Sequence, residues 1–335
     1  MINKIAILLV LLFGIAACSQ KGQKEKEVEI TKLTLNATLT ELSDSSFIPT
    51  IVTCIDANEN GLYFSDYAEG VIVLDKDLNV KKRIGSRGEG PGEFIGAAHF
   101  CLGKDDSIYV LNEGKQALEL FIKGEHVKHI PFPQETSFTI ITCFFFEHQL
   151  IYHSVVSDSL QVVVFDNSSN INKFICSNTS IDKPDFKRHS GRHLIKGDSS
   201  FFVIGCTLPI FQVYSFDGKL IAEHDLRTIP EIRKNAEAYK NTPQVPNTYS
   251  IMIRDACYND GKVYLLVITN EDKYICNKVC VLDVSEKIEH INTLELTGSV
   301  YGSFCITKEG RIVAFNALEA SLDFFTLPEY KENGM

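Results

Sequence analysis

The chain has 335 residues, 44% hydrophobic and 23% charged, a balance that fills a core and excludes a disordered chain. Its formal net charge of -10 argues against a nucleic-acid partner, which needs a basic surface to displace counterions. Trp is absent, while Phe (22) and Tyr (12) are plentiful; this weakens a carbohydrate reading, because many sugar sites stack rings on Trp.

The first 17 residues read as a leader. Lys4 supplies a short positive start, and the apolar run over 5–13 is too short to span a bilayer comfortably. Gly14-Ile15-Ala16-Ala17 then places small residues before Cys18, as signal peptides do. The Ile15-Ala16-Ala17-Cys18 ending resembles a bacterial lipobox, which makes Cys18 the expected site of lipidation. The alternative is a plain secretory signal with a chance Cys. Acyl chains anchor stably because each buried CH₂ contributes about 0.8 kcal/mol. Residues 18–29 are polar, of mixed charge and without apolar periodicity, so they predict a flexible tether. Ser19 after the Cys is compatible with outer-membrane sorting, by resemblance to bacterial lipoproteins; either the periplasmic or the surface face stays open.

From residue 30 the pattern is strands. Runs of four to seven β-branched and aromatic residues alternate with Gly, Asn and Asp turns, as in an antiparallel meander. The second strand of the unit recurs near Leu62, Ile108, Leu150, Phe201, Val263 and Ile312, at intervals of 42 to 62 residues. Four strands per unit at such a period predict an all-β fold, a six-bladed β-propeller with four-stranded blades over residues 30–328. A two-domain sandwich is the alternative. The sixth unit lacks a fourth strand, and residues 329–335 are a polar tail. The spare strand over 30–39, alternating at Leu33, Leu35, Ala37 and Leu39, is expected to complete that sheet and hide its edge.

Residues 83–94, Arg83-Ile84-Gly85-Ser86-Arg87-Gly88-Glu89-Gly90-Pro91-Gly92-Glu93-Phe94, occur once, between units one and two. The stretch lacks the Gly-Lys-Ser/Thr ending of a phosphate loop, no helix follows it, and Pro91 removes a donor. It reads as a structural crossing in which Gly supplies positive φ and Phe94 anchors the next strand. The functional alternative puts Arg87, Glu89 and Glu93 at the mouth of the central channel as binding residues.

Cys54, Cys101, Cys143, Cys257 and Cys305, half of the ten cysteines, each fall in a predicted first strand, among small or apolar neighbours. First strands lie nearest a propeller axis, where a buried Cys serves as a small hydrophobe. A metal-holding ring of thiolates is disfavoured, since successive blades space them beyond bonds of about 2.3 Å. Cys276 and Cys280 are the best-placed pair for a disulfide, with free thiols the alternative. Residues 177–196 form a basic insertion whose Arg188 and Arg192 could meet an anionic ligand or glycan, unless they are merely solvated. The pair His189 and His193 is four apart, but Gly191 and the missing helical pattern argue against a metal. Residues 229–240 predict a short helix with Pro230 at its first position and Ile232, Ala236 and Tyr239 on one face.

Gly61-Leu62-Tyr63-Phe64-Ser65-Asp66 and the Gly-Pro-Gly-Glu-Phe ending at 90–94 resemble the six-bladed β-propeller lipoproteins of Bacteroides-type bacteria, which are related to NHL-repeat propellers. Units two to six depart from both features. The resemblance implies a secreted or surface propeller and carries no catalytic residue with it. No nucleophile elbow, zinc motif or EF-hand loop is present, so no cofactor is expected; Ca²⁺ has no motif to hold it. The expected function is a lipid-anchored envelope module that binds a protein, small molecule or glycan. A metal-assisted lactonase or lyase with its site at the channel mouth is the alternative, and the fold alone conveys no reaction. The expected partners are the membrane, through the anchor, and an envelope component.

Overall fold

The computed structural model describes residues 28–133, 144–154, 160–176, 191–241, 251–269 and 275–330. Cys18 and Arg188 lie outside them. Six antiparallel sheets follow one another along the chain. Blade one is Ile55–Asn58, Gly61–Asp66, Gly70–Leu74 and Val80–Ile84. Blade two is Ala97–Leu102, Ser107–Asn112, Ala117–Ile122 and Glu125–Pro131. Blade three is Phe144–Glu147, Leu150–Ser154, Leu160–Asp166 and Ile171–Cys176. Blade four is Arg192–Lys196, Ser200–Gly205, Ile210–Ser215 and Leu220–Asp225. Blade five is Ile253–Asn259, Lys262–Thr269, Ile275–Asp283 and Glu289–Glu295. Blade six is Tyr301–Ile306, Arg311–Asn316 and Ser321–Thr326, with Leu35–Leu39 as its outer strand. The fold is a six-bladed β-propeller.

Each blade is apolar on both faces because it is covered on both sides. Val162, Val163, Val164 and Phe165 of one third strand are all buried. A run of β-branched residues is what a doubly covered strand requires. Six apolar clusters fill the six interfaces between neighbouring blades. One joins Leu111, Leu118 and Ile130 of blade two to Ile151, Val163 and Phe165 of blade three. Another joins Leu62, Phe64 and Leu74 of blade one to Val313, Phe315 and Leu322 of blade six, across the closure. Turns between third and outer strands are set by Asp side chains. Asp75 Oδ1 accepts from Asp77 N and Asn79 N, both at 2.9 Å, and Asp166 Oδ1 repeats this with Ser168 N and Asn170 N.

The spare N-terminal strand is two strands, not one. Leu35–Leu39 runs antiparallel to Ser321–Thr326 and closes the sixth sheet, with Leu39 opposite Leu322. Ile30–Lys32 instead adds a fifth, parallel strand to blade five, with Ile30 opposite Thr293. Leu33, between them, is buried against blades five and six, while Leu35 is exposed. The alternation seen in the sequence therefore spans two sheets.

Helix Pro230–Asn241 packs Ile232 and Ala236 onto the cluster between blades four and five, and Asn235 Nδ2 donates to Ile268 O at 2.9 Å. Cys276 and Cys280 are free, because both lie within one strand, Ile275–Asp283. Extended chain at about 3.3 Å per residue sets them roughly 13 Å apart, beyond disulfide reach. The basic insertion also ends earlier than its charge pattern suggests. Arg192, His193 and Lys196 form the innermost strand of blade four.

Truncation separates the two N-terminal roles. A chain starting at residue 34 should melt only slightly below the full chain. One starting at residue 41 should lose about 4 kcal/mol, at ~1 kcal/mol per closing hydrogen bond, and self-associate through the bared Ser321–Thr326 edge. Thermal melts with size-exclusion chromatography check both; equal melting of the two truncations would contradict the assignment.

Candidate functional site: the axial cavity

Consecutive innermost strands pack side by side around the axis, and polar groups tie them together. Thr53 Oγ1 of blade one donates to Ala98 O of blade two. Lys196 Nζ of blade four donates to Phe146 O of blade three at 3.2 Å. His193 Nε2 donates to Ile253 O of blade five at 3.1 Å. Asp255 Oδ2 accepts from Ser303 Oγ at 2.6 Å and Phe304 N at 3.0 Å, both in blade six.

These strands enclose a cavity of about 230 Å³ lined from all six blades, including Asp56, His99, Cys101, Phe144, Lys196, Asp255, Cys257 and Cys305. Its walls mix apolar residues, among them Ile55, Leu194, Ile195 and Ile306, with polar ones such as Thr53, Tyr258 and Ser303. Cys101, Cys257 and Cys305 are free thiols pushed up by burial and, secondarily, by nearby carboxylates, Cys101 to about 12. They stay protonated at neutral pH and are poor nucleophiles. Burial holds His99 down to about 4, its ring edge-on to Phe144 with centroids 5.3 Å apart. This imidazole is therefore neutral.

The two carboxylates differ. Asp255 has three donors: Ser303 Oγ, Phe304 N, and Ala256 N at 2.8 Å. Burial raises Asp255 and lowers the neighbouring His193, with the donors partly offsetting the first shift. Asp56 has only the amide of Ala57, at 2.8 Å, and no side-chain donor among the described residues. Burial pushes its carboxyl up to about 6. Lys196, the lysine on the wall, is paired with Glu147 Oε2 at 2.6 Å. Asp56 thus keeps acceptor capacity that the fold does not use. Among the described residues, no group of three or more His, Cys, Asp or Glu is arranged to hold a metal.

The residues singled out in the sequence fall elsewhere. None of Arg87, Glu89 or Glu93 lines the cavity. Their stretch covers the interface of blades one and two. Ser86–Arg87 pairs in parallel with Glu93–Phe94, and Phe94 is buried in that interface's core. A Cβ on Gly85, at φ +85°, would stand 2.1 Å from the Phe94 ring, so only Gly fits there. Arg87 and Glu89 are exposed, while the Glu93 carboxylate turns back to accept from Gly90 N at 2.7 Å. The stretch is held to blade two by Lys115 Nζ on Gly90 O at 2.6 Å and by Asn112 Nδ2 on Glu93 O at 2.9 Å. Glu119, 1% exposed, underlies both and also accepts from His126 at 2.8 Å and His129 at 2.9 Å. Arg192 is not on an exposed basic loop: it is wholly buried, and burial lowers it to about 10. A buried guanidinium belongs to the core of the blade and is inaccessible to an incoming anion.

A model of the DUF5128 family, described as a 6-bladed beta-propeller, matches residues 41–276. The chain belongs to this family. Among solved structures, the propeller is similar to a DUF4221-family member from Bacteroides vulgatus, at 13% identity and TM-score 0.61, over 90% of this chain and 98% of that one. It is similar to a protein of Bacteroides fragilis described as exported, at 15% identity and TM-score 0.57, over 86% and 88%. A streptogramin B lyase matches at 14% identity and TM-score 0.54, over 88% of each chain. At these identities the likeness is one of fold alone. No curated protein matches.

Sequence reasoning passed over Asp56 and Asp255. Both stand within two residues of a first-strand Cys, as Cys54-Ile55-Asp56 and Asp255-Ala256-Cys257. An acid inside an apolar inner strand was the available signal. Its consequence is testable. Burial lets the folded state hold the Asp56 proton up to about pH 6, against the ordinary value of 3.8 for a solvent-exposed Asp, so its contribution is most favourable below pH 4 and is lost as pH rises to 6. The loss is on the order of 2–3 kcal/mol. Asp56→Asn should be more stable than the parent above pH 6, with the difference shrinking toward pH 4. Urea denaturation of both proteins across pH 4–8 reads it; a pH-independent difference would contradict the buried-acid account.

Proposed function

We propose that this protein is a lipid-anchored propeller of the bacterial cell envelope that binds a small molecule in its axial cavity. The observation that carries the binding reading is Asp56. A carboxyl lining a cavity with one backbone donor and, among the described residues, no side-chain partner costs stability, and such undercompensated groups concentrate at binding and catalytic sites. The cavity is concave, lined from all six blades, and sets convergent polar groups among apolar ones, as small-molecule sites do. Anchoring is supported by the leader and the lipobox-like ending at Cys18, and export by the description of the similar Bacteroides fragilis protein.

Two experiments test the two halves. Expressed in a Bacteroides-type host, the protein should fractionate with membranes, and Cys18→Ala should move it to the soluble fraction; a soluble parent protein would refute the anchor. For binding, ligand-observed NMR with a set of small amphipathic fragments should detect binders of the parent. Asp56→Phe, which puts a bulky ring at a half-buried position of the cavity wall, should abolish them. Fragments that bind both proteins equally, or none that bind at all, would refute the axial site.

A further inference from the structure

We propose that the axial cavity takes a small organic cation, an ammonium group carried on an apolar body, with its charge against the Asp56 carboxylate. This rests on the axial site proposed above and adds the class of ligand. The first support is the charge on the wall. Asp56 and Asp255 reach the cavity from blades one and five, whereas the wall lysine, Lys196, is neutralised by Glu147 at 2.6 Å. His99 is neutral because it is buried. An anion would meet two carboxylates and no available cation.

The second support is the division of labour between the two acids. Asp255 spends its oxygens on Ala256 N in its own strand and on Ser303 Oγ and Phe304 N, which join blade five to blade six. Among the described residues, Asp56 accepts only from Ala57 N. The unspent acceptor decides where a donor-rich cation sits. An ammonium has three donors and no acceptor, the complement of an ionised carboxylate.

The third support is the rest of the wall. Ala256 and Ile306, half-buried on the wall, offer apolar surface to an alkyl or aryl body. The thiols of Cys101, Cys257 and Cys305 beside Asp56 are protonated, so they add no competing charge. A volume of about 230 Å³ equals roughly seven or eight waters at ~30 Å³ each, which limits the guest to a small molecule.

The groups that face Asp56 are the three thiols and Tyr63, with Lys196, His99, Asp255 and Tyr258 elsewhere on the wall. Of these, Asp56 is the one that burial brings to about 6. A cation bound beside it favours its ionised form, so binding at pH 5–6 expels a proton to solvent.

The test is isothermal titration with a matched pair, benzylammonium chloride and benzyl alcohol. The parent protein at pH 7.5 should bind the ammonium at least about tenfold more tightly than the alcohol, and Asp56→Asn should remove the preference. In the parent, the preference should decline below about pH 6 as Asp56 protonates. Equal affinity for the two ligands, or a preference that survives in Asp56→Asn, overturns the cationic reading. If neutral fragments bind and the ammonium does not, the cationic reading falls while the axial site stands; if nothing binds, both fall. Should Asp56→Asn fail to fold, the pH dependence of the preference in the parent gives the same discrimination.

Discussion

The propeller depends on one pairing, Leu35–Leu39 against Ser321–Thr326. Six blades make a ring only if the last is completed, and here its outer strand comes from the start of the domain. Without that strand, blade six would present a bare edge and its cover would be incomplete. Closure fixes the position of every innermost strand, because each is held between two neighbours. The axial cavity is a consequence of that geometry. Its walls are inner strands that cannot approach the axis further without colliding.

A ring of six similar blades has no preferred direction until something breaks its symmetry. Two devices do so. Residues 83–94 seal the interface of blades one and two, with Phe94 as a plug and Glu119 as the buried anchor for Lys115, His126 and His129. A buried carboxyl with several partners is costly to leave once any of them is removed. The helix Pro230–Asn241 covers the interface of blades four and five in the same structural spirit. Both features are packed into the fold, and neither lines the cavity.

At the axis the polar groups divide into those that hold the ring and those that do not. Thr53, His193 and Asp255 each bridge adjacent blades. Asp56 bridges nothing, yet lies where burial opposes its charge. With one backbone donor against the burial that opposes its charge, Asp56 is held less well than Asp255, whose donors reach across to blade six. The cysteines nearby are the reverse case: small, protonated and chemically quiet, they fill the crowded axis.

Strand periods, turn residues and the count of units are local properties, and the sequence by itself determined them. The second strands expected near Leu62, Ile108, Leu150, Phe201, Val263 and Ile312 are all observed. The six-bladed ring, its closure by an N-terminal strand and the helix at 230–241 follow from spacing, Pro230 and apolar alternation. Contacts across blades are non-local, and only the tertiary structure decided them. It split the N-terminal strand between two sheets, because Leu33 finds its cover on blades five and six. It drew Arg192 into a strand, because the charge pattern of 177–196 does not mark where the sheet resumes. It turned the Gly-rich stretch away from the cavity, because Phe94 is worth more buried between blades than exposed. It also brought Asp56 beside Cys101, Cys257 and Cys305, residues 45 to 249 positions away in the chain. No spacing rule in a linear sequence encodes that meeting; ring closure makes it.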